Sequence, residues 1–164
     1  MNQYEHLNHG FGPYINEDSE ILILGSFPSV LSREVNFYYG NPRNRFWNVL
    51  EAVFEDSAGN DVETRKSFCK RHKVALYDVI GECDIIGSRD DSIENIVPSD
   101  ILSLISQSNI KRIVLNGNAA KRYFLTYFSQ IENVKFVFMP STSPANAAWS
   151  LTRLIDVWKD GLIN

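Results

Sequence analysis

The sequence predicts an α/β fold, a three-layer α/β/α sandwich with a central four-stranded parallel sheet. Short apolar runs carry the first part of that prediction. Ile21-Leu22-Ile23-Leu24, Val74-Ala75-Leu76-Tyr77, Ile113-Val114-Leu115 and Phe136-Val137-Phe138-Met139 have almost no polar face, as strands covered on both sides should. Between them lie longer stretches with apolar residues at helical spacing, and that alternation makes successive strands parallel with helices over the sheet. The 164 residues suit one buried core rather than two, so 1–164 is expected to be a single domain in which 1–20 is an irregular lead-in with Gly10, Gly12 and Pro13.

The first strand, 21–24, stops abruptly at Gly25-Ser26-Phe27-Pro28-Ser29. Glycine permits the tight turn there, and Pro28 biases Phe27 towards an extended backbone. A loop with Val30, Leu31, Ser32 and Arg33 leads to the aromatic run Phe37-Tyr38-Tyr39 and a turn at Gly40-Asn41. Asn41-Pro42 reads as a helix start, with Asn41 as cap and Pro42 in the first turn. Phe46, Trp47, Val49, Leu50, Val53 and Phe54 then give that helix a wide apolar face, ending before Ser57. Residues 61–72 read as a polar helix that turns Phe68 inward.

Asp78 leaves the strand at 74–77, and 79–93, with Gly81, Gly87-Ser88 and its acids, reads as a loop over the same edge of the sheet. Asp100 caps a helix beginning near Ile101, and the strand at 110–115 exits through Asn116-Gly117-Asn118 into a helix over 119–128. The last strand, 134–139, exits through Pro140-Ser141-Thr142-Ser143-Pro144-Ala145-Asn146. An amphipathic helix over 147–161, with Leu151, Leu154, Ile155 and Trp158 on one side, closes the chain.

Several function classes are disfavoured. No apolar run reaches the length of a membrane span, and the amino terminus lacks a signal-peptide core, so a soluble cytoplasmic domain is expected. Cys69 and Cys83 are too few and unpatterned for a disulfide scaffold and read as reduced thiols. His6 and His9 lack a third ligand, so no metal is expected. There is no GxxxxGK[ST] loop and no GxGxxG after the first strand. Ser26 or Ser29 as a nucleophile would need a nearby base, and His72 precedes a strand, at the wrong end of the sheet. The net charge of -4 speaks against a broadly basic surface. Two local groups, Arg33 with Arg43 and Arg45, and Lys111, Arg112, Lys121 and Arg122, read either as DNA-facing surface or as solvated charge.

What the strand exits do suit is gripping phosphodiester oxygens and a base edge. Hydroxyls and free N–H groups hold phosphate, and a carboxamide offers both donor and acceptor to a base. Pro28, Pro140 and Pro144 stiffen the loops. Phe27, Phe37, Tyr38, Tyr39 and Trp47 either form a stacking wall or simply cover the core.

Gly25-Ser26-Phe27-Pro28-Ser29, followed by Tyr38-Tyr39-Gly40-Asn41-Pro42-Arg43-Asn44-Arg45-Phe46-Trp47, resembles the first motif region of hypoxanthine-DNA glycosylases in the uracil-DNA glycosylase superfamily. Asp78 leading to Gly87-Ser88-Arg89-Asp90-Asp91-Ser92-Ile93, the Leu115-Asn116-Gly117 exit, and Pro140 to Asn146 look like three further family blocks, in order across nearly the whole chain.

The resemblance implies a monomeric, monofunctional glycosylase with no metal or organic cofactor, which acts on double-stranded DNA containing deaminated bases. It would hydrolyse the N-glycosidic bond of deoxyinosine after flipping the base, leaving an abasic site for base excision repair. A uracil-preferring enzyme of broad range and a non-catalytic damaged-DNA-binding module are the alternatives. By resemblance Asn44 is the main catalytic residue, its amide oxygen positioning water below C1′, and Asn116 contacts the base edge or makes an Asx turn. The first loop departs from the uracil enzymes, in which an Asp or Asn aligns the water; Ser26 cannot act that way. Gly25, Ser26, Phe27, Tyr39 and Asp78 would complete the base pocket, with Phe27 stacking on the base and Asp78 either ordering the pocket or capping its strand. Ser29, Arg43, Ser141, Thr142 and Ser143 would hold the DNA backbone, and Asn146 either anchors its loop or contacts the duplex.

Overall fold

The computed structural model describes residues 3–128 and 131–164, so Met1 and Asn2 of the expected lead-in lie outside the described residues. In chain order its elements are β1 (Glu5–Asn8), β2 (Ile21–Gly25), α1 (Val30–Val35), α2 (Phe46–Phe54), α3 (Val62–Arg71), β3 (Val74–Asp78), β4 (Ile80–Ile85), β5 (Glu94–Pro98), α4 (Ile101–Ser106), β6 (Arg112–Asn116), α5 (Asn118–Tyr127), β7 (Lys135–Met139) and α6 (Leu151–Ile163).

The apolar runs form one four-stranded sheet in the order β3-β2-β6-β7, with every neighbouring pair parallel. Successive side chains of β2 point to opposite faces. Ile23 joins Phe46, Leu50 and Trp158 on one side, whereas Leu22 and Leu24 join Ile101, Ile113 and Phe124 on the other. Both faces are therefore buried, which is why the run shows no polar alternation. Register then aligns the strand ends: Gly25 lies beside Asp78, and Asn116 beside Met139. All four exits open at one edge of the sheet.

A second sheet, β1-β4-β5, is antiparallel and overturns two expectations. Part of the lead-in is strand β1, and much of the stretch expected to be a loop is β4 and β5. Cys83 and Ile85 point inward while Glu82 and Asp84 point out towards His6, an alternation hidden among the acids and Gly81. The segment after Pro28 is not loop either: Ser29 caps α1 by accepting from the Ser32 N–H.

The helix carrying Phe46 starts later than Asn41-Pro42 suggests. Asn41 Oδ1 accepts from Arg43 N at 2.9 Å, so the segment closes a turn on itself and α2 begins only at Phe46. Asn44 is thereby left on a loop. Likewise α6 begins at Leu151 behind a Ser150 cap, and α5 begins at Asn118, one residue earlier than expected, behind Gly117, whose φ of +97° suits glycine. Among the described residues no helix is long and apolar enough to cross a membrane.

Candidate active site

The four exits surround a cavity of about 310 Å³, within the range of small-molecule sites. Gly25, Ser26, Phe27, Ser29, Tyr39, Asn44, Asp78, Asn116, Ser141, Thr142 and Ser143 all line it. An adjoining hollow of about 580 Å³ shares Asn116, Ser141 and Ser143 and adds Asn146. Arg43 stands exposed nearby in sequence but outside both linings.

At the centre a hydrogen-bonded chain joins two carboxamides. Asn116 Nδ2 donates to Thr142 Oγ1 at 3.1 Å, and Thr142 Oγ1 donates to Asn44 Oδ1 at 2.8 Å. The direction follows from the partners. The Phe46 N–H also needs an acceptor and finds Asn44 Oδ1 at 2.9 Å, while the Thr142 N–H finds Asn116 Oδ1 at 3.1 Å. The Asn44 oxygen is thus used twice, and no described residue accepts from its amide N–H₂ group. This corrects the expectation that the oxygen of Asn44 holds a water: the end left free is the donor. Asn116 is committed as well, with its second amide hydrogen directed to Tyr39 Oη at 3.3 Å.

Thr142 does not fit the backbone-clamping role expected of it, because it is 0% exposed and its hydroxyl is consumed within this chain. Ser141 and Ser143 stand at the cavity wall, their hydroxyls accepting from the Ser143 and Ala145 N–H groups. Ser29 is occupied as the α1 cap. Asn146 Nδ2 donates to Ser141 O at 2.9 Å and so anchors its own loop.

The floor of the first exit is crowded. A Cβ on Gly25 would lie 2.6 Å from Asp78 Oδ1, so glycine leaves the room that the Asp78 carboxyl occupies. Asp78 does not cap its strand: its Oδ2 is 2.8 Å from His9 Nε2. Since His9 Nδ1 accepts from the Gly12 N–H, Nε2 carries the proton and donates to the carboxylate. His9 is 5% exposed among the rings of Phe11, Phe27, Tyr38 and Tyr77. Ser26 Oγ donates to Asp90 Oδ1 at 2.6 Å. Asp90 is exposed as a residue and lines the cavity, yet the protein packed around its carboxyl raises its pKa from the ordinary value, with the Ser26 bond opposing the effect and Asp78 adding to it. Burial also raises the Tyr39 hydroxyl well above the usual phenol range.

Of the aromatic wall, Phe37 and Trp47 belong to the core, whereas Phe27, Tyr38 and Tyr39 reach the cavity. Tyr39 stacks on Phe46 with centroids 3.7 Å apart, and the Arg33 guanidinium covers a face of Phe27 at 5.9 Å. Neither expected basic cluster survives as a unit. Arg45 is turned inward, donating to the carbonyls of Thr142, Ser143, Asn146 and Trp149, so that it staples the late loop beside Asn44. Arg112 donates to Gly161 O and Lys111 pairs with Glu20, while Lys121 lines the adjoining hollow. Both cysteines are free and buried, their thiols pushed up to about 12 for Cys69 and about 11 for Cys83 by burial. Among the described residues no group of three His, Cys, Asp or Glu could hold a metal ion.

His9, Asp90 and the inward role of Arg45 are absent from the site that the sequence predicts. Asp90 is within reach of sequence reasoning, since it sits in a recognised block; His9 and Arg45 act through pairings 69 to 104 residues away that no local pattern announces.

Substrate capture where parallel strands run out, by side chains that mostly hydrogen-bond, defines an α/β enzyme with a pocket sized for one small ring system. The family model for the Uracil DNA glycosylase superfamily matches residues 13–160, and the chain belongs to that superfamily. It is 37% identical over 117 residues to the hypoxanthine DNA glycosylase of Methanosarcina barkeri, covering 70% of this chain and 73% of that one. To the hypoxanthine DNA glycosylase of Methanosarcina acetivorans it is 32% identical over 149 residues, covering 90% and 93%. A solution NMR structure of a candidate uracil DNA glycosylase from Methanosarcina acetivorans superposes with a TM-score of 0.77 at 30% identity, covering 93% of this chain and 94% of that one. By family the chain is a DNA glycosylase and its macromolecular partner is DNA.

Proposed function

We propose that the enzyme excises hypoxanthine from deoxyinosine in double-stranded DNA, hydrolysing the N-glycosidic bond and leaving an abasic site for base excision repair. The Methanosarcina hypoxanthine DNA glycosylases supply the substrate class. The structural observation that carries the reading is the linkage of Asn44 and Asn116 through Thr142 on the wall of one cavity.

In this reading the deoxyinosine swings out of the duplex and its base enters the cavity between Phe27 and Tyr39. Asn116 lies where its amide can exchange the long bond to Tyr39 for one to the base edge. Asn44 presents N–H groups that hold a water oxygen below C1′, leaving another lone pair to attack. A carboxamide takes up a proton poorly, so the glycosidic bond breaks largely before water bonds, through a sugar cation stabilised by the DNA phosphates. Exposed Arg43 and the wall serines Ser141 and Ser143 would meet the backbone. We further propose one three-layer α/β/α domain over 1–164, built on the four-stranded parallel sheet and acting as a cytoplasmic monomer without a metal or organic cofactor. The shared register of the strand ends supports that architecture.

The test is single-turnover base release from matched duplexes carrying hypoxanthine, uracil or an ordinary base, with and without chelator. Hypoxanthine release exceeding uracil release is expected. Asn44→Ala should keep fold and duplex affinity but lose about 10²-fold or more in rate. Preference for uracil would favour the broad-range alternative, and inosine-duplex binding with no abasic product would favour a binding module.

A further inference from the structure

The oxygen of Asn44 is occupied twice, and that of Asn116, which takes the Thr142 N–H, is a neutral amide oxygen and a poor base, so the attacking water needs another group to take its proton. Two carboxyls line the same cavity, Asp78 and Asp90. Asp78 is 4% exposed at the cavity floor, where its Oδ2 takes the His9 N–H and its Oδ1 sits against Gly25. Asp90 is held by one oxygen only. Ser26 Oγ docks Oδ1 at 2.6 Å, and among the described residues nothing donates to Oδ2. A residue 64 positions along the chain thereby brings a carboxyl to the mouth of the first exit loop, which has none of its own.

We propose that Asp90 is a catalytic residue of this glycosylase, its carboxylate accepting the proton of the water that attacks C1′. This rests on the base-excision reading above. As the C1′–N9 bond breaks, its electron pair stays with the purine, and the water oxygen bonds to C1′ through its lone pair. The water proton passes to Asp90 Oδ2 and then to solvent, while the purine anion takes up a proton on nitrogen. The products are free hypoxanthine and an abasic site with a hydroxyl at C1′.

The surroundings favour a stronger base than an ordinary aspartate. Crowding raises the Asp90 pKa, and Asp78 from β3 and neighbouring Asp91 push the same way; Ser26 and Arg122 from α5 push against them. Arg89 is taken up by Asp91 at 3.2 Å, and Lys121 stands in the adjoining hollow. The working form is deprotonated, so the rate should fall as pH drops through a pKa above the ordinary carboxylate value. Because the Ser26 bond favours the charged form, removing it should move that fall to higher pH.

The experiment is single-turnover release from a deoxyinosine duplex at saturating enzyme, from about pH 4 to about pH 9, beside duplex affinity and circular dichroism. Asp90→Asn, which keeps an acceptor for Ser26, is expected to lose about 10²-fold in rate, keep its affinity and lose the acid limb. Ser26→Ala is expected to shift the limb upward. A wild-type rate in Asp90→Asn, an unaltered acid limb in it, or a Ser26→Ala limb that stays in place would each overturn the assignment. Wild-type protein that releases no hypoxanthine at any pH would instead remove the base-excision reading itself.

Discussion

Thr142→Val isolates the link between the two carboxamides, because valine keeps the branched shape of threonine and replaces only the hydroxyl, by a methyl group that cannot hydrogen-bond. Thr142 is fully buried, so no water replaces that group. Two bonds vanish, from Asn116 Nδ2 at 3.1 Å and to Asn44 Oδ1 at 2.8 Å. Neither carboxamide is stranded, since Asn116 keeps Tyr39 Oη and Asn44 keeps the Phe46 N–H. At about 1 kcal/mol per bond the loss is about 2 kcal/mol, which lowers Tm by about 4–8 °C in a chain of this length. Without the hydroxyl, Asn44 loses one of the two bonds that aim its N–H₂ group into the cavity, and a misaimed group costs about 10–10²-fold in rate. Thr142→Ser separates the two effects. It retains the hydroxyl and gives up a methyl group, so Tm should fall by a similar amount while single-turnover base release stays near wild type. Thermal melts and rates on a deoxyinosine duplex, measured on the same preparations, decide it. Valine releasing base as fast as threonine, or serine as slow as valine, would refute the idea that the hydroxyl aims the amides.

His9→Leu leaves the buried Asp78 carboxylate without its N–H donor, at a cost of about 1–3 kcal/mol, and should lower Tm by several degrees and slow base release because the cavity floor shifts; a melt unchanged from wild type would count against that pair. Gly117→Ala combines a φ of +97° with a Cβ 2.9 Å from Ser141 Cβ, so both the turn and the late loop must move. It should cost about 1–3 kcal/mol and weaken duplex affinity, read by denaturant melts and a binding titration.

What the sequence makes legible is whatever depends on burial alone. Ile21-Leu22-Ile23-Leu24 is apolar throughout because both faces meet helices, and the same physics marks the strand ends where polar residues begin. Gly25, Asp78, Asn116 and Ser141 stand at those ends, so their convergence follows once the sheet is parallel. The small antiparallel sheet is less legible, since β4 alternates Cys83 and Ile85 with acids that answer to His6 on a strand 76 to 78 residues earlier. Least legible is which end of a side chain does the work. Asn44 is identifiable from its motif, yet the exposed end of its amide is fixed by Phe46 and by Thr142, 98 residues away.

The fixed orientation of Asn44 bears on how the chemistry is divided. A carboxamide whose oxygen is used by the protein can only donate, so it can aim a water without deprotonating it. Asn44 is in that position, and the Asn116 oxygen, which takes the Thr142 N–H, is a neutral amide oxygen and a poor base. Any group that removes a proton must therefore lie outside the linked pair. Asp90 enters the cavity on a separate segment, held by Ser26 from the first exit loop. Positioning and proton removal are thus assigned to different loops, and the rate should respond to Thr142 through the geometry of attack but to Asp90 through pH.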